Sequence, residues 1–209
     1  MGRDPYAKFA RDYDARWARF SERTHARVLA RLPADLTGRC LLDFGCGTGT
    51  LIAKILAGHP TIGAITGVDV SASMLARARA RLAAGTGADR VALVQQRGAL
   101  PTFPPGAFDV VVCANTFHYF PEPAATLRAL RGALRPHGRL ILEDYAKRGP
   151  LARYFEWAIG RYDPLHRRAY DLAEVERLLA AAGFAPRDGA EFRVDAWWHG
   201  WVVTGHRTP

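Results

Sequence analysis

The sequence predicts an α/β fold in which a mostly parallel sheet carries helices on both faces. Short apolar runs alternate with amphipathic stretches of helical length through most of the chain. Within that alternation Phe108–Ala114 is nearly all apolar, as a strand covered on both sides must be. Two further strand-like runs close the chain with no helix between them, which calls for antiparallel pairing at one edge.

Each element has a local cause. Residues 6–31 place Tyr6, Phe9, Tyr13, Trp17, Phe20 and Val28 on one helical stripe, with arginines on the other face, and Pro33 ends it. Cys40–Phe44 is a short apolar strand running into glycines, and a helix follows over 49–58. Ile62–Val70 is the second strand, and Ser71 caps a helix over about 72–83. Val91–Gln95 and Phe108–Ala114 are the third and fourth strands. A helix over 122–134 is stopped by Pro136 and Gly138, and Arg139–Asp144 is the fifth strand. Asp171-Leu172-Ala173-Glu174 forms a capping box for a helix ending at Gly183. Glu191–Trp197 and Gly200–Arg207 bring the strands to seven.

The 209 residues, 49% apolar and 23% charged, suit one ordinary globular domain. No run of about 18 apolar residues appears, so no transmembrane helix is expected. The start, Met1-Gly2-Arg3-Asp4-Pro5-Tyr6, is not an apolar leader, so a cytoplasmic location is expected. Cys40, Cys46 and Cys113 are too few for a disulfide framework and read as buried thiols. The net charge of +9 favours anionic partners such as RNA, DNA or an acidic metabolite. Yet the arginines are spread along the chain rather than gathered in a block, as a compositional bias towards arginine and alanine would leave them.

The chemistry concentrates in Leu41-Leu42-Asp43-Phe44-Gly45-Cys46-Gly47-Thr48-Gly49. A strand enters a glycine-rich turn and a helix leaves it, so the backbone turns tightly and can approach a ligand closely. The spacing is GxGxG rather than the dinucleotide GxGxxG, and Asp43 stands on the strand just before it. A second acid, Asp69, ends the next strand 20 residues after Gly49, where a ribose hydroxyl pair would lie.

That constellation resembles the class I S-adenosylmethionine methyltransferases, in particular the broad group called type 11. Phe9-Ala10 with Tyr13-Asp14 is similar to that group's N-terminal helix, and Gly67-Val68-Asp69-Val70-Ser71 with Met74-Leu75 to its second motif. Leu100-Pro101, Phe103 and Phe108-Asp109-Val110-Val111 are similar to its third and fourth, and Leu134-Arg135-Pro136 with Gly138-Arg139-Leu140 to its fifth. The resemblance implies a Rossmann-like, seven-stranded sheet with an antiparallel C-terminal edge strand, and S-adenosylmethionine as cofactor. It implies a single domain: an N-terminal helical lid over 1–37, a cofactor-binding core over 38–146, a substrate-cover insert over 147–170, and a C-terminal helix with two strands over 171–209.

The matched positions take roles by the same resemblance. Gly45, Gly47 and Gly49 bring backbone against the methionine and ribose portions, with Cys46 and Asn115 also facing the cofactor. Asp43 hydrogen-bonds its amino group, Asp69 takes both ribose hydroxyls, and Val70 and Met74 flank the adenine. One departure stands out: Gln96-Arg97 occupies the place where relatives carry Asp-Ala. Gln96 can still accept through its carbonyl oxygen, and Arg97 is placed to stack beside the adenine.

A methyl group on a sulfonium is already activated, so alignment and exclusion of water come first. A general base matters only for an acceptor with a proton to lose. His118, in Asn115-Thr116-Phe117-His118-Tyr119-Phe120 after the fourth strand, is the first candidate, Tyr13 the second, and Asp144 with Tyr145 a third. Tyr154, Phe155, Trp157, Tyr162 and Tyr170 in the insert either roof an apolar substrate or pack among themselves.

The expected acceptor is a small molecule methylated on O, N or C, by a monomer or homodimer that needs no metal and binds no membrane and no specific nucleic acid. An RNA or DNA methyltransferase is the alternative, but Ala114-Asn115-Thr116-Phe117 lacks the Pro-Pro motif for an exocyclic amine, and no Pro-Cys nucleophile appears. A cofactor-binding protein without activity is favoured only by Gln96-Arg97.

Overall fold

Strands β1 (Cys40–Phe44), β2 (Ala64–Asp69), β3 (Val91–Gln95), β4 (Phe108–Ala114), β5 (Leu134–Tyr145), β6 (Phe184–Arg193) and β7 (His199–Arg207) form one sheet. Their order is β3-β2-β1-β4-β5-β7-β6. The computed structural model describes residues 4, 6, 12–96, 102–148, 152–163 and 165–208. Helices α1 (Tyr13–Leu29), α2 (Thr50–Gly58), α3 (Ala72–Ala83), α4 (Pro123–Ala133), α5 (Ala152–Tyr162) and α6 (Leu172–Ala181) connect or flank the strands.

Side-chain alternation along β4 divides the core in two. Val111 and Cys113 pack with Leu127 and Leu130 of α4 and Val175 and Leu179 of α6. Val110 and Val112 pack on the opposite face with Val28 of α1, Ile52 and Ile55 of α2 and Leu75 of α3. Both faces of the strand are therefore shielded, which explains its unbroken apolar sequence. Trp201 of β7 is fully buried, and its indole N–H donates to the Tyr170 carbonyl at 3.1 Å, fastening the end of the insert to the sheet.

The seven-stranded, mostly parallel sheet matches expectation, with local differences. The antiparallel strand is β7, which pairs with both β5 and β6 and so lies one place in from the border. β6 begins at Phe184 rather than at Glu191. Gly183, at φ 84°, ends the helix turn, and Phe184 drops at once into the core at 3% exposure. Trp197 and Trp198 belong to the turn instead, because Asp195 Oδ1 accepts from both of their backbone N–H groups at 2.7 and 2.8 Å. β5 begins at Leu134, which pairs with Phe108 before a register shift to Arg139 opposite Val110.

α1 begins at Tyr13, not at residue 6. Tyr6 lies in a turn whose backbone N–H is taken by Asp4 Oδ1 at 3.0 Å, a local bond that competes with the helix. Phe9 and Ala10 lie outside the described residues, as do Arg97, Leu100 and Pro101. Arginines of α1 and of the turn that follows it are used internally. Arg23 bonds the Val194 carbonyl, Arg27 sits 5.1 Å over the Phe192 ring, and Arg31 reaches the Asp188 carbonyl at 2.9 Å. Among the described residues no helix is long and apolar enough to cross a membrane.

Candidate active site

The strand order reverses direction between β1 and β4, and ligands of open α/β sheets bind beyond the carboxyl ends of strands at such a point. A cavity of about 500 Å³ opens there, within the usual size range for small-molecule sites. Its lining includes Asp43, Gly45, Cys46, Gly47, Asp69, Val70, Met74, Gln96 and Asn115. Gly49 holds the turn from behind, where an added Cβ would come 3.1 Å from Ala78. Arg97 lies outside the described residues.

The glycine turn is pinned to β2. Gly45 and Cys46 both donate their N–H to the Val68 carbonyl, at 2.8 and 2.9 Å. A Cβ at Gly45 would come within 2.3 Å of Thr116, so that position closes the turn against the end of β4. At Gly47, with φ 52°, an added Cβ would meet nothing within 4 Å, and the missing side chain leaves open cavity. Cys46 is a thiol kept protonated by burial, with Asp43 and Asp69 adding to the effect.

Two carboxylates face this wall. Asp43 is 2% exposed and its Oδ2 has no hydrogen-bond partner. Burial, and then the charge of Asp69, push its carboxyl up to about 7. Asp69 Oδ2 accepts from Gly47 N at 2.8 Å and its Oδ1 from Ser71 N at 2.9 Å. Burial raises its pKa against the opposing pull of those N–H groups. A carboxylate has roughly four lone-pair sites, so Asp69 keeps acceptor capacity beyond these two bonds. Beside it, Val70 is exposed and Met74 buried, and both give the cavity apolar lining.

The N-terminal helix clamps the turn. Asp14 accepts from the Thr48 hydroxyl at 2.6 Å and from Arg81 of α3 at 2.7 Å. Burial works against its charge, but these donors prevail and hold its pKa below the ordinary value. The motif around Tyr13 hinted at Asp14, but spacing gave no sign that its partners would be Thr48 and Arg81.

The opposite wall is aromatic and polar. Tyr13 lines the cavity, and burial followed by the charges of Asp69 and Asp163 pushes its hydroxyl up to about 12. The Tyr119 hydroxyl donates to Asp163 Oδ2 at 2.7 Å, and the Tyr6 hydroxyl reaches the same oxygen at 3.4 Å. Leu165 and Arg167 of the insert complete the wall. Among the described residues, the insert's aromatics do not form it. Tyr154 and Trp157 are 60% and 67% exposed, Tyr170 packs edge-on against Phe117, and the side chains of Phe155 and Tyr162 lie outside the described residues.

His118 stands behind this wall rather than on it. Its ring lies against Tyr119, centroids 3.8 Å apart, and is absent from the cavity lining. Its Nδ1 contacts Asp144 Oδ2 at 2.8 Å, and its backbone N–H donates to the same carboxylate at 2.9 Å. Tyr145 N donates to Asp144 Oδ1 at 2.8 Å, and Arg167 N to the His118 carbonyl at 3.0 Å. The residue the sequence did not single out is His25, on α1, which is 8% exposed and lines the cavity. Burial, aided by the nearby Lys54 charge, pushes it down to about 4, so it is neutral near pH 7. Nothing in its spacing or neighbours marks it; only the docking of α1 against β4 and β5 does. Among the described residues no three His, Cys, Asp or Glu side chains gather to hold a metal ion.

Residues 10–188 match a family described as methyltransferase domain. The chain is 36% identical over 156 residues to nocamycin O-methyltransferase of Saccharothrix syringae, covering 74% of this chain and 54% of that protein. It is 32% identical over 123 residues to a ubiquinone biosynthesis O-methyltransferase of Pseudomonas paraeruginosa, covering 58% of this chain and 50% of that one. The chain thus spans about half the length of these curated relatives. A solved structure of a SAM-dependent methyltransferase from Aquifex aeolicus superposes with a TM-score of 0.74 at 21% identity, covering 99% of this chain and 100% of that one. That likeness concerns the fold.

Proposed function

The chain belongs to the methyltransferase-domain family, and from that premise we propose that it transfers the methyl group of S-adenosylmethionine to a small-molecule acceptor by in-line displacement. The carrying observation is Asp43 Oδ2, a buried acceptor with no partner on the wall of the cavity. It fits the donor's ammonium. The open space at Gly47, the spare lone pairs of Asp69 and the apolar side chains of Val70 and Met74 fit the methionine, ribose and adenine in turn. S-adenosylmethionine supplies an activated sulfonium methyl; the protein supplies position. Its walls hold an acceptor against that methyl and keep water out, effects worth about 7–11 kcal/mol in favourable cases. The named relatives are O-methyltransferases, which supports a hydroxyl acceptor.

Tyr13 is a group on the cavity surface that can orient such a hydroxyl. With its pKa near 12 it keeps its proton at neutral pH and acts as a donor, not as a base. Tyr13→Phe is expected to lower kcat about tenfold, through loss of one hydrogen bond worth about 0.5–1.5 kcal/mol, with donor affinity unchanged. His118 and Asp144 act one layer further out, setting the place of Tyr119 and the insert.

Screening the protein with S-adenosylmethionine against a metabolite library, and detecting S-adenosylhomocysteine, tests the function. Binding of the donor without turnover of any acceptor would favour a cofactor-binding protein without activity. The pH dependence of binding is a second check. Asp43 is protonated below about pH 7 in the free protein, whereas a ligand ammonium favours the carboxylate, so binding expels a proton there. Affinity for S-adenosylhomocysteine is therefore expected to fall by up to about tenfold per unit as pH drops below 7, and Asp43→Asn to flatten the profile. A flat wild-type profile would remove Asp43 from the ammonium site.

A further inference from the structure

Tyr6, Tyr13 and Tyr119 line the cavity, and Asp163, outside that lining, gathers the hydroxyls of two of them. The Tyr119 O–H donates to Asp163 Oδ2 at 2.7 Å, a short bond of the charge-assisted kind, and the Tyr6 O–H reaches the same oxygen at 3.4 Å. The two rings meet edge to face with centroids 6.3 Å apart. Asp163 Oδ1 is occupied as well, by the Leu165 N–H at 3.0 Å. The backbone around the carboxylate is tied down. The Asp163 N–H donates to the Ile159 carbonyl at 2.7 Å, at the end of α5, and the Arg167 N–H to the His118 carbonyl at 3.0 Å, next to Tyr119. Bonds on both oxygens therefore aim the carboxylate at the Tyr119 hydroxyl. Asp163 is only partly buried, so it exchanges protons with solvent.

This arrangement fixes which way the Tyr119 hydroxyl works. A phenol has one proton and two lone pairs, and here the proton goes to Asp163, so towards a further partner the oxygen is an acceptor. Burial first, with Tyr6 and the charge of Asp163 adding to it, raises the Tyr119 pKa, so the group stays protonated near neutrality and offers a lone pair rather than a full charge. Tyr13, which donates, and Tyr119, which accepts, complement a hydroxyl: one holds its oxygen, the other its hydrogen.

We propose that Tyr119 takes the proton of a hydroxyl acceptor and passes its own to Asp163 as the methyl group moves. The inference rests on the methyl transfer to a hydroxyl proposed above and gives that reaction its proton path. A lone pair of the acceptor oxygen forms the bond to the methyl carbon, and the C–S bond breaks with its electrons going to sulfur, which leaves as a neutral thioether. The acceptor O–H proton goes to the Tyr119 oxygen, the Tyr119 proton goes to Asp163 Oδ2, and the protonated carboxyl returns it to solvent. A hydroxyl oxygen that gains a methyl group becomes an oxonium, a far stronger acid than a carboxylic acid, so a carboxylate is base enough for the task. Tyr119 touches the acceptor; Asp163 positions Tyr119 and receives the proton.

Two probes that differ in one atom test this on the full chain with S-adenosylmethionine, by release of S-adenosylhomocysteine. Phenol has a proton to lose; thiophenol is largely ionised at mildly alkaline pH and has none. Asp163→Asn keeps an oxygen to orient Tyr119 and loses the carboxylate that receives the proton. It is expected to lower the rate on phenol at least about 100-fold, the low end of what a general base is worth, and to raise the thiophenol-to-phenol rate ratio by the same factor. Tyr119→Phe, which keeps the ring, is expected to raise that ratio too. Calorimetry with S-adenosylhomocysteine shows that each variant is folded. Equal losses on both probes would make these two packing residues and overturn the inference. So would a wild-type rate on phenol in Asp163→Asn, or a wild type that methylates thiophenol and not phenol. If the wild type methylates neither probe, transfer to a hydroxyl itself fails, and the inference with it.

Discussion

Asp69→Ala is expected to weaken binding of S-adenosylhomocysteine about 10–100-fold by calorimetry, the worth of a hydrogen bond to a charged group. The carboxylate does two things at once. It faces the cavity, and it holds the N–H of Gly47 and of Ser71 at 2.8 and 2.9 Å, tying the glycine turn to the start of α3. Its removal therefore costs a ligand contact and slackens the turn that meets the ligand. A second effect follows from the charge it places beside Asp43. That charge helps to push the Asp43 carboxyl up to about 7, so in Asp69→Ala the remaining binding is expected to hold to lower pH than in wild type. Unchanged affinity in a folded variant would deny Asp69 its ribose role.

Asp144→Ala is expected to act on stability. The carboxylate is 1% exposed and meets the backbone N–H groups of His118 and Tyr145 and the His118 ring. Truncation leaves these groups without an acceptor in a dry region, at about 1–3 kcal/mol each. A total of at least about 3 kcal/mol shifts Tm by roughly 6–12 °C in a domain of this size. Asp144→Asn, which keeps one oxygen, is expected to lose less. A melting curve for Asp144→Ala within about 2 °C of wild type would mean that water takes over all three bonds.

The architecture was legible because it rests on local patterns. The apolar run of β4 and the capping box at Asp171 and Glu174 are both where the sequence puts them. The glycine-turn side of the cavity was legible for the same reason: Asp43, the glycines and Asp69 lie on one strand–turn–helix and the next strand end. What escaped depends on contacts between distant segments. His25 is 18 residues before Asp43 on an arginine-rich helix, and only the docking of that helix turns it towards the cavity. His118 follows β4 as expected, but Asp144, 26 residues later, draws its ring behind Tyr119. The Trp197–Trp198 pair has strand propensity, and a single side-chain oxygen of Asp195 makes it a turn.

The grips of Arg23 on α1 and of Arg31 just after it on the carbonyls of Val194 and Asp188 impose an order of events during synthesis. Helix α1 is held by the β6–β7 hairpin, made much later than α1 itself, and β7 must enter between β5 and β6 before that hairpin exists. On the ribosome the glycine turn and its acids can form early from neighbouring segments, since domains begin to organise from the N-terminus as the chain emerges. The helix that brings Tyr13, Asp14 and His25 to the cavity gains its Arg23 and Arg31 anchors only once residues 188–194 are free of the exit tunnel. A nascent chain halted before that point would have the glycine-turn side of the cavity secured but not the side that α1 supplies.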